Sequence, residues 1–362
     1  MRILLLPIAF LYHIVLSIRH KLYDWRILKS LRFEYPTIGV GNLNLGGTGK
    51  TPTVEYLINI LRPHYRVATL SRGYGRKTTG FKRADATCTY EDVGDEPLQY
   101  FQKFPDIQVA VDEDRLNGMR KLIQSKNTPD VYLLDDAFQH RRIKVGLNLL
   151  LTEYQHLYCD DFLFPTGTLR DVKSAAKRAD IIVVSKSPKE LEETEKQRII
   201  KKLKPKAHQK VFFSYLEYKA LIPWNYQAEA FDPNTADAAL LFCGIARPQP
   251  LIEKLKELYK HLDVMTFPDH HIYTQHDAKN IKEHFDRLMG ERKIIITTEK
   301  DDTRLQKSPY FCKNLSAPLY DLPSGMHFFA PLYILPVAVR FHEEEKFNQE
   351  ILNYVRQNKH HC

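Results

Sequence analysis

An α/β fold in two domains is predicted by three observations. From residue 37 onward, short apolar strands alternate with amphipathic helices, the pattern of a largely parallel sheet. Near residues 210–235 the alternation breaks, with Pro223 and "FDPNTAD" interrupting it, and then a second α/β series begins. At 362 residues the chain also exceeds the size at which one hydrophobic core usually stops growing.

The opening segment, "MRILLLPIAFLYHIVLSIRHKLYDW", has an apolar stretch over 3–18 that would reach about 24 Å as a helix, short of a roughly 30 Å hydrocarbon core. "IRHKLYDW" follows where a signal peptide would carry a small-residue cleavage site. His13, Ser17, His20 and Asp24 form a polar stripe at helical spacing, opposite Leu11, Ile14, Val15, Ile18, Leu22 and Trp25. Arg19, Lys21, Arg26, Lys29 and Arg32 cluster just beyond. The pattern fits a helix lying in a membrane interface, its basic end among headgroups. A helix buried on its own protein is the alternative reading.

The strands expected next are "TIGVGN", "RVATLS", "IQVAVD", "VYLLDD", "LNLLLT" and "IIVVSK", whose Val/Ile/Leu density predicts a sheet covered on both faces. "KTPTVEYLINILRPHY" takes Pro52 in its first turn, where a missing N–H costs little, and "PKELEETEKQRIIKKLKPK" reads as an exposed, charge-laced helix. The second series comprises "AALLFCGIA", "QPLIEKLKELYKHL", "DVMTF", "TQHDAKNIKEHFDRLM" and "KIIITTEKD". "FAPLYILPVAVRF" is expected to cross back, so that "EEEKFNQEILNYVRQN" packs on the first domain.

Chemistry concentrates in a few stretches. "GVGNLNLGGTGKTP" at 39–52 ends as GxxxxGK[ST] does, but Asn44 stands where the first glycine belongs. Gly46, Gly47, Thr48 and Gly49 let the backbone wrap phosphates, Lys50 would reach the β/γ-phosphates, and Thr51 would ligate Mg²⁺. "VYLLDDAFQHRR" ends a strand in Asp135 and Asp136, where a carboxylate holds Mg²⁺ or caps a turn. "DVGDEP" places Asp95 and Glu96 in a turn, one able to accept a proton from an attacking hydroxyl and the other to bind Mg²⁺. "FPDHHIYT" offers Asp269, His270 and His271, and a histidine there can pair with a carboxylate base. "TLSRGYGRKTTGFKR" carries Arg72, Arg76 and Lys77 among aromatic residues, suited to phosphate or to a nucleic-acid backbone.

Together with "FPTGTLRD", "GIARPQP" and "TEKD", these segments occur in the order of the tetraacyldisaccharide 4'-kinases, the lipid A 4'-kinases of Gram-negative bacteria. The chain resembles that family from the N-terminal helix to nearly residue 340. The family's loop also lacks the first glycine; a departure is Ala137, where the family usually has glycine in "DDGFQH". The resemblance implies ATP-dependent phosphorylation of the 4'-hydroxyl of a tetraacylated glucosamine disaccharide 1-phosphate, giving lipid IVA. Carried over by position, Asp95 matches the catalytic base and His270 its partner. Lys50 and Thr51 match the residues on phosphate and Mg²⁺, while Glu96, Asp135 and Asp136 match acidic positions around the metal. Arg72, Arg76 and Lys77 are candidates for the substrate.

The implied architecture is a P-loop NTPase-like α/β/α sandwich and a smaller α/β/α domain joined by a two-stranded linker. Its expected parts are a membrane-interface helix over 1–30, a kinase domain over 31–212, a linker over 213–235 and a smaller domain over 236–330. Residues 331–362 are expected to return to the first domain. Residence is expected at the cytoplasmic face of the bacterial inner membrane, peripherally.

Composition narrows the alternatives. A net charge of +9 suits acidic partners: nucleic acid, anionic lipid or phosphorylated substrates. No helix-turn-helix or RNA-binding signature is present, so nucleic acid is not expected. Five scattered cysteines without a CxxC pair point to a reducing compartment, and the terminal "KHHC" reads as a frayed tail. A nucleotide-switch or chaperone NTPase is the rival class, but no NKxD-type guanine-reading motif occurs and "FPDHHIYT" would have no task.

Overall fold

The computed structural model describes residues 5–306, 308, 310–311 and 330–358. In chain order, the first elements are α1 (Leu6–Asp24), β1 (Thr37–Asn42), α2 (Lys50–Leu61), β2 (Val67–Ser71), β3 (Lys82–Arg83), α3 (Tyr90–Val93), α4 (Asp95–Lys103), β4 (Gln108–Val111) and α5 (Arg115–Ile123). There follow β5 (Val131–Asp135), β6 (Leu147–Glu153), β7 (Ile181–Ser185), α6 (Glu193–Leu203), β8 (Lys210–Tyr218), β9 (Ile222–Pro223) and α7 (Tyr226–Glu229). The last are β10 (Ala238–Cys243), α8 (Gln249–Leu258), β11 (His261–Thr266), α9 (Gln275–Arg287), β12 (Lys293–Thr298), α10 (Glu299–Leu305), β13 (Leu332–Leu335), β14 (Val337–Phe341) and α11 (Glu344–Asn358).

Two compact units emerge, one from Met1–Ala86, Tyr100–Glu217 and Ala338–Cys362, the other from Thr87–Gln99 and Tyr218–Val337. The first holds a nine-stranded sheet in the order β14-β8-β7-β6-β1-β5-β2-β4-β3. From β8 through β4 the neighbours run parallel, and β3 closes the edge antiparallel. Every residue of β1, β5 and β7 is buried, so these strands show no alternation between a buried and an exposed face. Leu150, Ile182, Val184, Ile199 and Phe213 pack one apolar cluster, which Leu16 of α1 joins. Ala68, Leu70, Met119, Leu122 and Leu134 pack another. The α11 helix buries Phe347, Ile351 and Val355 in this unit, and its Tyr354 Oη donates to the Thr37 carbonyl at 3.0 Å.

The second unit has a five-stranded sheet, β11-β10-β12-β13-β9, parallel except for β9. Its two apolar clusters are separate from those of the first unit: Leu240, Phe242, Ile281, Ile295 and Leu305 form one, and Ala239, Leu241, Leu255, Ile294 and Ile296 the other.

Two boundaries differ from the sequence expectation. Residues 87–99, expected inside the first domain, belong to the second unit, because the buried Asp95 is paired there. Within residues 213–235, expected as the linker, β8 continues to Tyr218, β9 joins the second sheet, and α7 buries Ala228. The expected return strand is two strands, β13 and β14, separated by Pro336 and lying in different sheets. Phe329 at its start, the terminal "KHHC", Cys312 and Cys362 lie outside the described residues.

Candidate active site

The phosphate loop follows β1, whose neighbours in the sheet are β5 and β6. Val40 pairs in register with Asp135, so the loop and the paired acids emerge from adjacent strand ends, where open parallel sheets place their ligands. Gly41 is required by close approach, since a Cβ there would lie 2.6 Å from Phe138 Cβ. Gly49 is the N-cap of α2 at φ +85°, a left-handed conformation that glycine tolerates. No side-chain hydrogen bond caps the N-terminus of α2, the positive end of its dipole, which is the setting that suits a phosphate.

Asn44 has its own task. Its Nδ2 donates to Asp161 Oδ2 at 3.0 Å and to Thr168 Oγ1 at 3.2 Å, while the Leu45 N–H donates to the Thr168 carbonyl at 2.7 Å. The residue in place of the first glycine thus ties the loop to the segment that carries Arg170.

Lys50 Nζ donates to Asn42 Oδ1 at 3.2 Å and lies 3.6 Å from Asp136 Oδ1. Arg170 approaches the same groups: Nη1 donates to Asp136 Oδ2 at 2.9 Å, and Nη2 to Asp136 Oδ1 and, at 2.5 Å, to Asn42 Oδ1. Burial alone would raise the Asp136 pKa, but Lys50, Arg170 and Arg115 hold it well below the usual carboxylate range. Asp136 is also at φ +49°, so the backbone strain falls on the aspartate and Ala137 is accommodated without it. Asp135 is buried and accepts from Tyr100 Oη at 3.0 Å. Arg115, 1% exposed, is pushed down to about 10 by burial, against the pull of Asp136 and Asp135.

The second unit carries its own cluster. His270 Nδ1 lies 2.7 Å from Asp95 Oδ2, and Arg304, itself buried, donates to the same oxygen through Nε at 3.1 Å and through Nη2. Burial opposes ionisation of Asp95, but the His270 and Arg304 bonds outweigh it and lower its pKa. Arg304 is held from behind by Asp301, 3.5 Å from Nη1. Asp301 accepts from Tyr273 Oη at 2.9 Å and Thr298 Oγ1 at 2.6 Å. His270 has φ +63°, a strained conformation that turns its ring to Asp95, and Lys300 donates to the adjacent Asp269 at 2.8 Å.

Other expected residues stand differently. His271 pairs with Asp277 at 2.9 Å and stacks on Phe267, bracing the turn. Arg76 braces its own loop, donating to the Gly80 carbonyl at 2.7 Å and to Glu113, whereas Arg72 and Lys77 are exposed. Glu96 lies in the first turn of α4. Among the described residues no group of three His, Cys, Asp or Glu side chains forms a ready metal site. Sequence reading missed Arg170, Arg304 and Arg115. The first two stand inside "FPTGTLRD" and just after "TEKD", segments noted only for their order.

A parallel sheet with a glycine loop after its central strand, an uncapped helix and a lysine facing an ionised aspartate defines a P-loop kinase-like α/β protein. Comparison with known proteins makes this specific. The model of one family, Tetraacyldisaccharide-1-P 4'-kinase, matches residues 1–356, and the chain belongs to that family. It is 44% identical over 359 residues to the tetraacyldisaccharide 4'-kinase of Flavobacterium johnsoniae, covering 99% of this chain and 98% of that one. With the enzyme of the same name from Bacteroides thetaiotaomicron it shares 40% identity, covering 98% and 93%. Among solved structures, the "apo" form of LpxK from Aquifex aeolicus in complex with ATP aligns at TM-score 0.71 and 28% identity, over 99% of both chains. None of these comparisons supports a nucleotide switch or chaperone.

Proposed function

We propose that this chain transfers the γ-phosphoryl group of ATP to the 4'-hydroxyl of a tetraacylated glucosamine disaccharide 1-phosphate, forming lipid IVA. The observation that carries the reading is the whole-chain family match with the phosphate loop intact. The loop from Gly46 to Thr51 cradles the phosphates, and Lys50 neutralises charge on the transferring group. Arg170 shares Asp136 with Lys50 and holds the second positive charge at the same place.

Mg²⁺ fits the donor set. Thr51, Asp135 and Asp136 offer hard oxygens from one unit, and a cation that keeps several waters and uses substrate phosphates needs no all-protein cage. When bound, it would supply charge neutralisation at the β- and γ-phosphate oxygens. Glu96, in the first turn of α4, is a further candidate ligand.

Asp95 is the proposed base. Its bonds from His270 and Arg304 all fall on Oδ2, which leaves Oδ1 to receive the sugar hydroxyl proton. A carboxylate held at low pKa is a weak base in the ground state, but a loose transition state releases the proton late, when the oxygen has become acidic. His270 and Arg304 keep the carboxylate ionised and aimed.

The substrate is an acylated anion, and two features support its recognition at a membrane. The α1 helix exposes Leu6, Ile8, Phe10, Leu11, Val15 and Ile18, and among the described residues no helix is long and apolar enough to cross a membrane. A cavity of about 1130 Å³ in the first unit is lined by Arg26, Lys29, Arg32, Arg120, Arg141 and Arg178 among others, a setting for negative headgroups. Peripheral residence on the cytoplasmic face follows from this reading, and Arg72 and Lys77 remain candidates for the substrate's phosphate.

The test is transfer of label from ATP, with Mg²⁺, to the disaccharide 1-phosphate in detergent. The expected result is labelled lipid from wild type and its loss, with weakened ATP binding, in Lys50→Ala. A folded, ATP-binding protein that labels no lipid would sink the reading.

A further inference from the structure

The α1 helix is two-sided. Tyr12, Leu16 and His20 recur at four-residue spacing on one face, where Leu16 joins the apolar core, while Leu11, Val15 and Ile18 remain exposed on the other. The inward face meets one dipeptide of the first unit. Tyr12 Oη donates to the Arg170 carbonyl at 3.1 Å, and His20 Nε2 lies 2.5 Å from Asp171 Oδ1.

The geometry assigns the His20 proton. Arg141 Nη1 at 3.2 Å and Arg178 Nη1 at 3.1 Å both point donors at Nδ1, so that nitrogen presents its lone pair. Nε2 therefore carries the hydrogen and donates it to Asp171. Asp171 is fully buried and also accepts from the Val172 N–H at 2.8 Å and from Arg178 at 3.4 Å.

Arg170 needs such ties. It lies between β6 and a 3-10 helix over Lys173–Arg178, outside any strand or helix, where neither a ladder nor a helical turn fixes it. Its own N–H reaches the Leu43 carbonyl at 2.8 Å, and its side chain grips Asp136 and Asn42 beside Lys50.

We infer that Tyr12 and His20 of the N-terminal helix are positioning residues, which hold the Arg170–Asp171 dipeptide so that the Arg170 guanidinium meets Asp136 at the phosphate site. The helix then does more than carry an apolar face: its docking sets a charge used in phosphoryl transfer. The inference rests on the proposed kinase reading for its effect on turnover, but not for its effect on the Arg170 segment.

The test uses the full chain and four variants. His20→Leu removes donor and acceptor at similar volume, His20→Gln keeps an amide donor, Tyr12→Phe removes one hydroxyl, and Arg170→Lys supplies the background for a cycle. Expected for His20→Leu is a roughly tenfold or greater fall in kcat with KM for ATP and lipid within about threefold, and for His20→Gln recovery to within about threefold of wild type. In the Arg170→Lys background, the further loss from His20→Leu should shrink to less than about twofold, because the route of its effect is already broken. Full kcat in His20→Leu, equal losses in the two His20 variants, or an undiminished loss in the Arg170→Lys background each overturns the inference. If His20→Leu does not fold, by its thermal midpoint, Tyr12→Phe decides: a fall of about threefold in kcat is expected, and none overturns it.

Amide exchange across residues 166–172 gives a reading independent of turnover, expected to quicken by about tenfold in His20→Leu and not in His20→Gln. Unchanged exchange overturns the inference. If wild type transfers no label, the kinase reading fails on its own, and the exchange result alone decides the positioning role.

Discussion

At the scale of single residues, the cluster at Asp95 turns on which of two opposed effects wins. Burial works against the charge, and Arg304 with His270 reverses it. Because the folded pKa lies below the unfolded one, the charge contributes stability above about pH 4 that is lost as pH falls through the folded value. The acid limb of kcat/KM in wild type is therefore expected below about pH 4. Arg304→Met leaves desolvation with less opposition, so the limb should move up by about one to three pH units. The same change leaves a buried charge short of a partner and should cost about 3–5 kcal/mol of unfolding free energy, read by denaturant titration. Asp95→Ala should lower kcat by about 10²–10⁴-fold while the ATP dissociation constant, measured by calorimetry, changes little.

The same residues show what a sequence makes visible. Lys50, Thr51, Asp135 and Asp136 stand in short contiguous patterns, whereas the turns that hold Asp95 and His270 are weak signals, and the roles expected of these two rest on the family resemblance. Arg170 and Arg304 acquire meaning only from partners 34 and 209 residues away in the chain, a separation no local pattern encodes. Asn44 was read as a substitution to be tolerated, whereas its side chain ties two loops. Arg76 was expected at the substrate because it is basic, yet Glu113, which no motif connects to it, engages its guanidinium.

At the scale of elements, the loop and α1 make opposite demands on their surfaces. Restoring the general pattern with Asn44→Gly should weaken ATP binding and not improve it, because two hydrogen bonds to the Asp161–Thr168 segment go. Each such bond contributes on the order of 1 kcal/mol, so a loss of about 1–3 kcal/mol in stability is expected from denaturant curves. The outer face of α1 should instead be silent in stability and decisive on lipid. Phe10 and Val15 are 67% and 55% exposed, so Phe10→Glu with Val15→Glu should leave the thermal midpoint unchanged. Cosedimentation with anionic vesicles should fall at least about tenfold, since burying each such side chain contributes about 1.5–3 kcal/mol. The expected strands of both series were legible as apolar runs. Not expected as strands were β3 and β9, each of two residues and too short for any periodicity to register, and β8, which lies where the alternation was read as breaking.

At the scale of the whole molecule, two sheets with separate apolar cores share one chain. Nucleotide on the loop adds its binding free energy to the unit that holds it: at a hundredfold excess over the dissociation constant this is about 2.7 kcal/mol. Hydrogen exchange should therefore slow by about 100-fold in β1, β5 and β6, with a smaller change in β10 and β12. Equal protection throughout would show that the cores respond as one. The sequence revealed the break between the two series but not that residues 87–99 belong with the second, because membership there is decided by Asp95's partners and not by composition.

That interleaving bears on how the protein is made. Asp95 leaves the ribosome 175 residues ahead of His270 and 209 ahead of Arg304. At about 5–20 residues per second, it waits roughly 9–35 s for the histidine. During that interval its carboxylate is hydrated and the segment 87–99 has no second sheet to join, while β4 to β8 of the large sheet are still emerging. No cut at the 217/218 junction can yield a downstream fragment that contains the complete Asp95 cluster. The acid proposed to take the substrate's proton is made in the first third of translation and acquires its surroundings only near the end.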